Sequence, residues 1–260
     1  MTVLQPVQTS AEWVAYFRHN ADTLLDVPWE LGVKFTPEER ELVAASIPTW
    51  QLGESSDGRH LRGAAERYAN QTGDTDFVEA INLFIGEEQR HGAELGRVLD
   101  LAGIPRKTWD CGDTVFRLFR HLRPRIELTA TVVVAVEILA LLYYAAIRRA
   151  VSCPVLHRVC DQILRDEPIH LHFQCERLAM FHRGRPRVLR ALTMLGHRIL
   201  FAGTALAVWA GHRRALRAGG LGFRRFWRTA WAKHRWARAR MDPAAYAWPE
   251  PVTNLASLEA

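Results

Sequence analysis

Residues Asp166 to His170 read DEPIH, and Glu87 to His91 read EEQRH. Both contain Glu-x-x-His, and residues three apart on a helix share a face, so Glu167 pairs with His170 and Glu88 with His91. Working outward, each pair has a lone glutamate upstream at the distance of one helical hairpin: Glu54 precedes Glu88 by 34 residues, and Glu137 precedes Glu167 by 30. One Glu plus one Glu-x-x-His, twice over, is the ligand inventory of a dinuclear carboxylate centre inside four helices. The expected metal ligands are therefore Glu54, Glu88, His91, Glu137, Glu167 and His170.

The intervening sequence supplies the helices. Ahead of them, Trp13, Tyr16, Phe17, Leu24 and Leu25 give an amphipathic covering helix from about Glu12, and Thr36-Pro37-Glu38-Glu39 is a second start signal, with Glu39 placed to close a capping box. The first ligand helix runs from about Pro48 to Asn70. Around its Glu54 crowd Gly53, Ser55, Ser56 and Gly58, small residues that admit a neighbouring backbone. Asp76, with Glu79 as its capping partner, opens the second helix, which runs to about Ala102. Residues Gly103 to Pro124 then read as a crossover along the bundle. The fourth helix starts at Ser152-Cys153-Pro154 and ends near Phe181, with Pro168 predicting a local kink.

Heights along the helices test the ligand choice. Glu137 and Glu167 lie equally far from the turn between them, whereas Glu54 misses Glu88 by roughly 6 Å at 1.5 Å per residue. Glu66, the rival first ligand, misses it by roughly 12 Å on the same arithmetic. Hard carboxylate oxygens and borderline imidazole nitrogens together suit iron or manganese, and four carboxylates balance two divalent cations. Asp166 and Glu87, each one residue before its motif, are placed to accept the second ring N–H of the histidine on the opposite pair.

The third helix is the most apolar stretch. From Leu128 to Ile147 it reads LTATVVVAVEILALLYYAAI, with Glu137 as its only charge. Two readings compete: a bilayer span, for which about 20 apolar residues suffice, and a helix enclosed on all sides by other helices. A mid-span carboxylate costs the first about 2.5 to 3.5 kcal/mol, and Glu137 has partners on three other predicted helices. Val133, Val134, Ala140, Leu141 and Tyr144 are candidate liners of an apolar pocket beside the ligands, and equally plain core residues at helical spacing.

Composition bounds the rest. The chain has 260 residues, 48% of them hydrophobic, enough for one sizeable core. The divisions expected are N-terminal covering helices over 1–47, the bundle over 48–183, and C-terminal helices with a basic tail over 184–260. The four cysteines include no Cys-x-x-Cys pair and the N-terminus lacks a signal-peptide pattern, so a cytoplasmic setting is expected. Arg and Lys crowd the last third, where GFRRFWRTAWAKHRWARAR aligns Phe223, Trp227 and Trp231 at four-residue spacing. Either these rings pack on the bundle or they anchor a peripheral helix at an anionic membrane surface. No nucleic-acid partner is expected.

The constellation of Glu54, EEQRH, Glu137 and DEPIH resembles the ferritin-like superfamily of di-iron carboxylate proteins, over roughly residues 48–182. The resemblance implies an all-α fold, a ferritin-like four-helix bundle holding two iron ions (iron with manganese, or two manganese, being the alternatives) and reacting with dioxygen or peroxide. It implies one metal on Glu54 and His91, the other on Glu137 and His170, with Glu88 and Glu167 bridging or shared. Several subfamily marks are missing. Leu95 stands where radical-bearing reductase subunits place tyrosine, Leu141 stands where multicomponent monooxygenases place threonine, and the Cys-x-x-Cys module of rubrerythrins is absent. The expectation is a di-iron oxidase or oxygenase acting on a small apolar organic substrate with an external electron donor, as a monomer or homodimer. The alternatives are a ferroxidase or iron-binding protein without organic substrate, and a membrane-surface-associated di-iron protein.

Overall fold

A computed structural model describes residues 4–109 and 126–248. It is all-helical apart from a two-residue parallel pairing of β1 (Gln5–Pro6) with β2 (Tyr246–Ala247), which ties the two ends of the described chain together. Most of the expected crossover from Gly103 to Pro124 lies outside the described residues.

The first helix, α1 (Ser10–Ala21), is fixed by a Thr9/Glu12 capping box and buries Trp13, Val14, Phe17 and Asn20. A 12-residue helix is marginal alone. Burying Trp13 and Phe17 adds about 1.5 to 3 kcal/mol each, and their rings pack with Phe77, Phe84 and Phe173 in a separate aromatic cluster. Helix α2 (Pro37–Ala44) starts at the Thr36 capping box read from the sequence.

The first ligand helix is not continuous. Helix α3 (Ile47–Glu54) ends at Glu54, and α4 (Arg59–Thr72) restarts after Gly58, whose φ of 64° only glycine adopts freely. Helix α5 (Thr75–Leu101) is capped by Asp74, which accepts from the Phe77 amide, and not by Asp76. Glu79, read as a capping partner, instead pairs with Arg18 of α1. Asp74 wins because its side chain stands one residue before the first helical position, where the orphan amides point.

Helix α6 (Ile126–Ala150) and helix α7 (Pro154–His182) form the most extensive helix pair, and α7 runs unbroken past an exposed Pro168. Their shared face holds Ile138, Leu139, Ile147, Val155, Leu156 and Ile163, all fully buried. Helix α5 packs on α3, α4 and α7, α4 touches α6, and α1 lies along α5. Of the apolar window of α6, 83% is buried inside the protein, so the enclosed-helix reading describes it. Helix α8 (Arg187–Ala218) lies on α6, and α9 (Phe223–Arg240) packs against α6, α7 and α8. The inner face of α9 is Phe226, Ala230, His234 and Ala237; Trp227 and Trp231 are half-buried and Phe223 is exposed. Of the expected stripe, Trp227 and Trp231 therefore pack against the edge of the core, Trp231 with its ring 5.2 Å from that of Phe201, while Phe223 turns outward.

Candidate metal centre

Three elements bring glutamates to one level of α7. Glu54 arrives from the end of α3, and the break after it removes the height mismatch that a straight helix carries. Gly92 of α5 makes room: a Cβ there would stand 2.5 Å from Ser55 Oγ and 2.9 Å from the Ser55 amide nitrogen. Of the small residues around Glu54, Gly58 also sits tightly, against Ile85, while Gly53 has open space around it. Glu137 comes from the middle of α6, and Glu88 with His91 from α5.

Glu54, Glu88, His91 and Glu167 each offer a ligand atom, and these atoms all lie within 4.8 Å of one another. Glu88, Glu137, Glu167 and His170 form a second group on the same measure. Glu88 and Glu167 belong to both groups, so the two are adjacent. Glu54, Glu137, Glu167, His91 and His170 are buried, and the Glu88 side chain is 21% exposed. Glu66 is exposed on α4 and joins neither group.

The imidazoles are oriented from behind. His91 Nε2 lies 2.9 Å from Asp166 Oδ2, and His170 Nε2 lies 2.8 Å from Glu87 Oε2. With Nε2–H donated outward, each Nδ1 turns to the acidic cluster. His91 Nδ1 is 3.8 Å from Glu167 Oε1, and His170 Nδ1 is 3.9 Å from Glu167 Oε2 and 2.7 Å from Glu88 Oε1. None of these contacts has hydrogen-bond alignment: both Nδ1 atoms, Glu88 Oε1 and both Glu167 oxygens are buried without a hydrogen-bond partner. A buried polar atom left unpaired costs about 1 to 3 kcal/mol. Five such atoms within the two adjacent groups fit cations between them, and the mixed oxygen and nitrogen donors suit iron or manganese.

Electrostatics agree. Burial, followed by the charges of Glu88 and Glu167, pushes the Glu54 carboxyl well above its ordinary range. Burial and the Glu88 charge do the same to Glu167. Burial also works to raise Glu88, but His170 and His91 outweigh it and hold that carboxyl down at about 2. For His170, burial opposes the charged ring and is outweighed by Glu87 and Glu88, which raise its pKa. Such a cluster cannot ionise all its carboxylates together; protons stay until cations take their place.

Residues absent from the sequence reading complete the surround. Asn20 of α1 donates to Glu87 Oε1 at 2.7 Å and to Asp166 Oδ1 at 3.0 Å, joining the two carboxylates that hold the histidines. Gln162 donates to both oxygens of Asp166 at 2.9 Å, and Arg90 reaches Asp166 Oδ2 at 2.7 Å. The signals were present: Asn20 is a polar residue in line with Trp13 and Phe17, and Gln162 stands one turn before Asp166. Tyr144, read as a pocket liner, donates to Glu54 Oε1 at 2.7 Å. Val134, Ala140 and Leu141 are core residues, and Val133 is half-buried against the aromatic cluster. Two cavities, of about 480 and 120 Å³, open elsewhere on the molecule and contain none of these five.

Fold and site together define an all-helical chain with a buried acid–histidine cluster able to hold metal. No protein-family model, no curated protein and no solved structure matches it.

Proposed function

We propose that the chain is a ferritin-like di-iron carboxylate protein, its four-helix bundle formed by α3 with α4, α5, α6 and α7, that uses dioxygen to oxidise an organic substrate. The observation carrying this is the sharing of Glu88 and Glu167 by two adjacent four-residue groups. Shared carboxylates are what a pair of metals a few ångströms apart requires. Two iron ions, or an iron–manganese or dimanganese pair, supply redox chemistry toward dioxygen or peroxide.

Glu54 and His91 would hold one ion, Glu137 and His170 the other, and Glu88 and Glu167 would serve both. Asp166 and Glu87 fix the ring orientations, and Asn20 locks those two carboxylates to each other. Tyr144 holds Glu54 through its hydroxyl. The aliphatic side chains flanking Glu137, among them Val136, Ile138 and Leu141, exclude bulk water. An external donor returns electrons. Three buried free thiols, Cys153, Cys160 and Cys175, support a cytoplasmic setting.

The tight packing of Val134, Ile138, Ala140 and Leu141, each at most 8% exposed, favours a small reactant. It also gives weight to a second reading, a ferroxidase whose substrates are iron and dioxygen alone.

Protein expressed with iron supplied should retain about two metals per chain. Glu137→Ala and Glu167→Ala should lower that ratio, and Glu66→Ala should leave it unchanged. Equal loss from all three sinks the ligand assignment. The ferrous protein should consume dioxygen in proportion to its paired sites and need reductant for a second cycle. Retention of iron as soluble mineral, far beyond the paired sites, would replace the oxygenase reading with storage.

A further inference from the structure

The sequence placed any membrane-surface role in α9, yet six of the exposed large apolar side chains in the described residues stand on α8. Its inner face, with Phe201, Ala205, Ala215 and Leu216, is buried. On its outer face Val188 is 74% exposed, Leu192 60%, Leu195 51%, Ile199 67% and Leu206 49%. These five recur at intervals of four, three, four and seven residues, so all lie on one side. Val188 and Leu206 are five full turns apart, and the stripe runs straight for about 27 Å. Of the apolar window of this helix only 17% is buried.

Charge identifies what the stripe faces. Between Glu176 and Asp242 the chain carries sixteen Arg and Lys and no Asp or Glu. Exposed Arg187 stands at the start of the stripe and exposed Arg198 at its flank. Arg213 and Arg217, also exposed, continue its line one and two turns beyond Ala210. Phe223, 42% exposed and 5.2 Å from the Trp209 ring, adds an aromatic edge at that end. A second copy of the chain fits badly. Two parallel stripes would set Arg213 and Arg217 on their equivalents, and two antiparallel stripes would set them on Leu192 and Val188, with no acid in the hairpin to pair them. Anionic headgroups supply the missing charge, and arginine reaches them while its stem stays on apolar surface.

We infer that the outer face of α8 docks the protein on an anionic lipid bilayer, Val188, Leu192, Leu195, Ile199 and Leu206 entering the headgroup–acyl boundary and the bordering arginines binding lipid phosphates. This goes beyond the metal chemistry and does not depend on it.

Flotation of the full-length protein with vesicles of phosphatidylcholine, alone or mixed with phosphatidylglycerol, tests it. The mixed vesicles should capture the protein, high salt should release it, and neutral vesicles should capture little. Replacing Leu192 and Ile199 together by Glu should cut capture about tenfold or more without changing helicity or metal content. Leu31→Glu, an exposed apolar position outside the hairpin, should cut nothing. No capture by either vesicle, equal capture by both, or full capture of the double variant overturns the inference. So does unfolding of the double variant, which would mean that the protein itself covers the stripe. If those substitutions turn a dimer into a monomer in sedimentation while vesicles bind nothing, the occupant is a second copy.

Discussion

Helices α6 and α8 are both long and apolar enough to cross a membrane, yet 83% of the apolar window is buried in one and 17% in the other. They lie against each other. What separates them is the distribution of polarity around the helix axis. Around α6 almost every side chain from Thr129 to Ile147 is buried, and its one mid-helix charge, Glu137, joins the buried acid–histidine cluster. Around α8 two apolar faces exist, and the fold uses the one interrupted by His197 and His212. Each of those imidazoles finds a hydroxyl: His197 Nε2 lies 2.7 Å from Thr131 Oγ1, and His212 Nδ1 lies 2.8 Å from Ser46 Oγ. Apolar character alone therefore does not decide which face turns inward. Complementarity with the neighbouring helix does.

The largest effect expected of this contrast is from a charge placed on each helix. Ile138→Glu, at a position with no exposure, should cost more than about 4 kcal/mol in a denaturant titration, whereas Ile199→Glu should stay within about 0.5 kcal/mol. Similar costs at both sites would mean that the outer face of α8 is covered in the free protein.

Gly219, just past the end of α8, tests how closely the two helices approach. A Cβ there would stand 2.5 Å from Ala146 Cα on α6, and neither partner is a flexible side chain. Gly219→Ala should lower stability by about 2 kcal/mol, read as a lower melting temperature. An unchanged value would mean that the end of α8 is free to move away from α6.

A smaller effect is expected with pH. His197 is held down to about 4 by burial and then by His182, and His234 to about 4 by burial and then by Arg198. The ordinary value of 6.5 applies to the unfolded chain, so the unfolded state binds more protons between about 6.5 and 4. Stability should fall as pH drops through that window. His197→Gln should flatten the fall in melting temperature while sparing the metal ratio. An unaltered slope would assign the acid sensitivity to other groups.

The smallest effect should come from Gly203, exposed on α8 with open space around it. Gly203→Ala should add up to about 1 kcal/mol by helix propensity alone, and a loss instead would show an unseen contact on that side of the helix.

Much of the acid–histidine cluster was readable from spacing. Glu-x-x-His fixes a shared face by helix geometry, and height along the helix favours Glu54 over Glu66, which the fold leaves exposed. The break between Glu54 and Arg59 was hidden, because Ser55, Ser56 and Gly58 read equally well as close-packing residues of one straight helix. Asn20 was passed over for a different reason. It lies 146 residues before Asp166, and no local pattern connects a covering helix to a carboxylate so remote.

The sequence by itself determined which residues share a helical face, since a period of 3.6 is a local property of the backbone. It also determined that a buried helix with one carboxylate must find that carboxylate a partner, since burying a lone charge is too costly. Only the tertiary structure decided which face of α8 turns inward, where the Glu54 helix breaks, and that Asn20 bridges Glu87 and Asp166. Those outcomes depend on contacts between segments far apart in the chain, where burial on one helix is set by the shape and hydrogen-bonding groups of another.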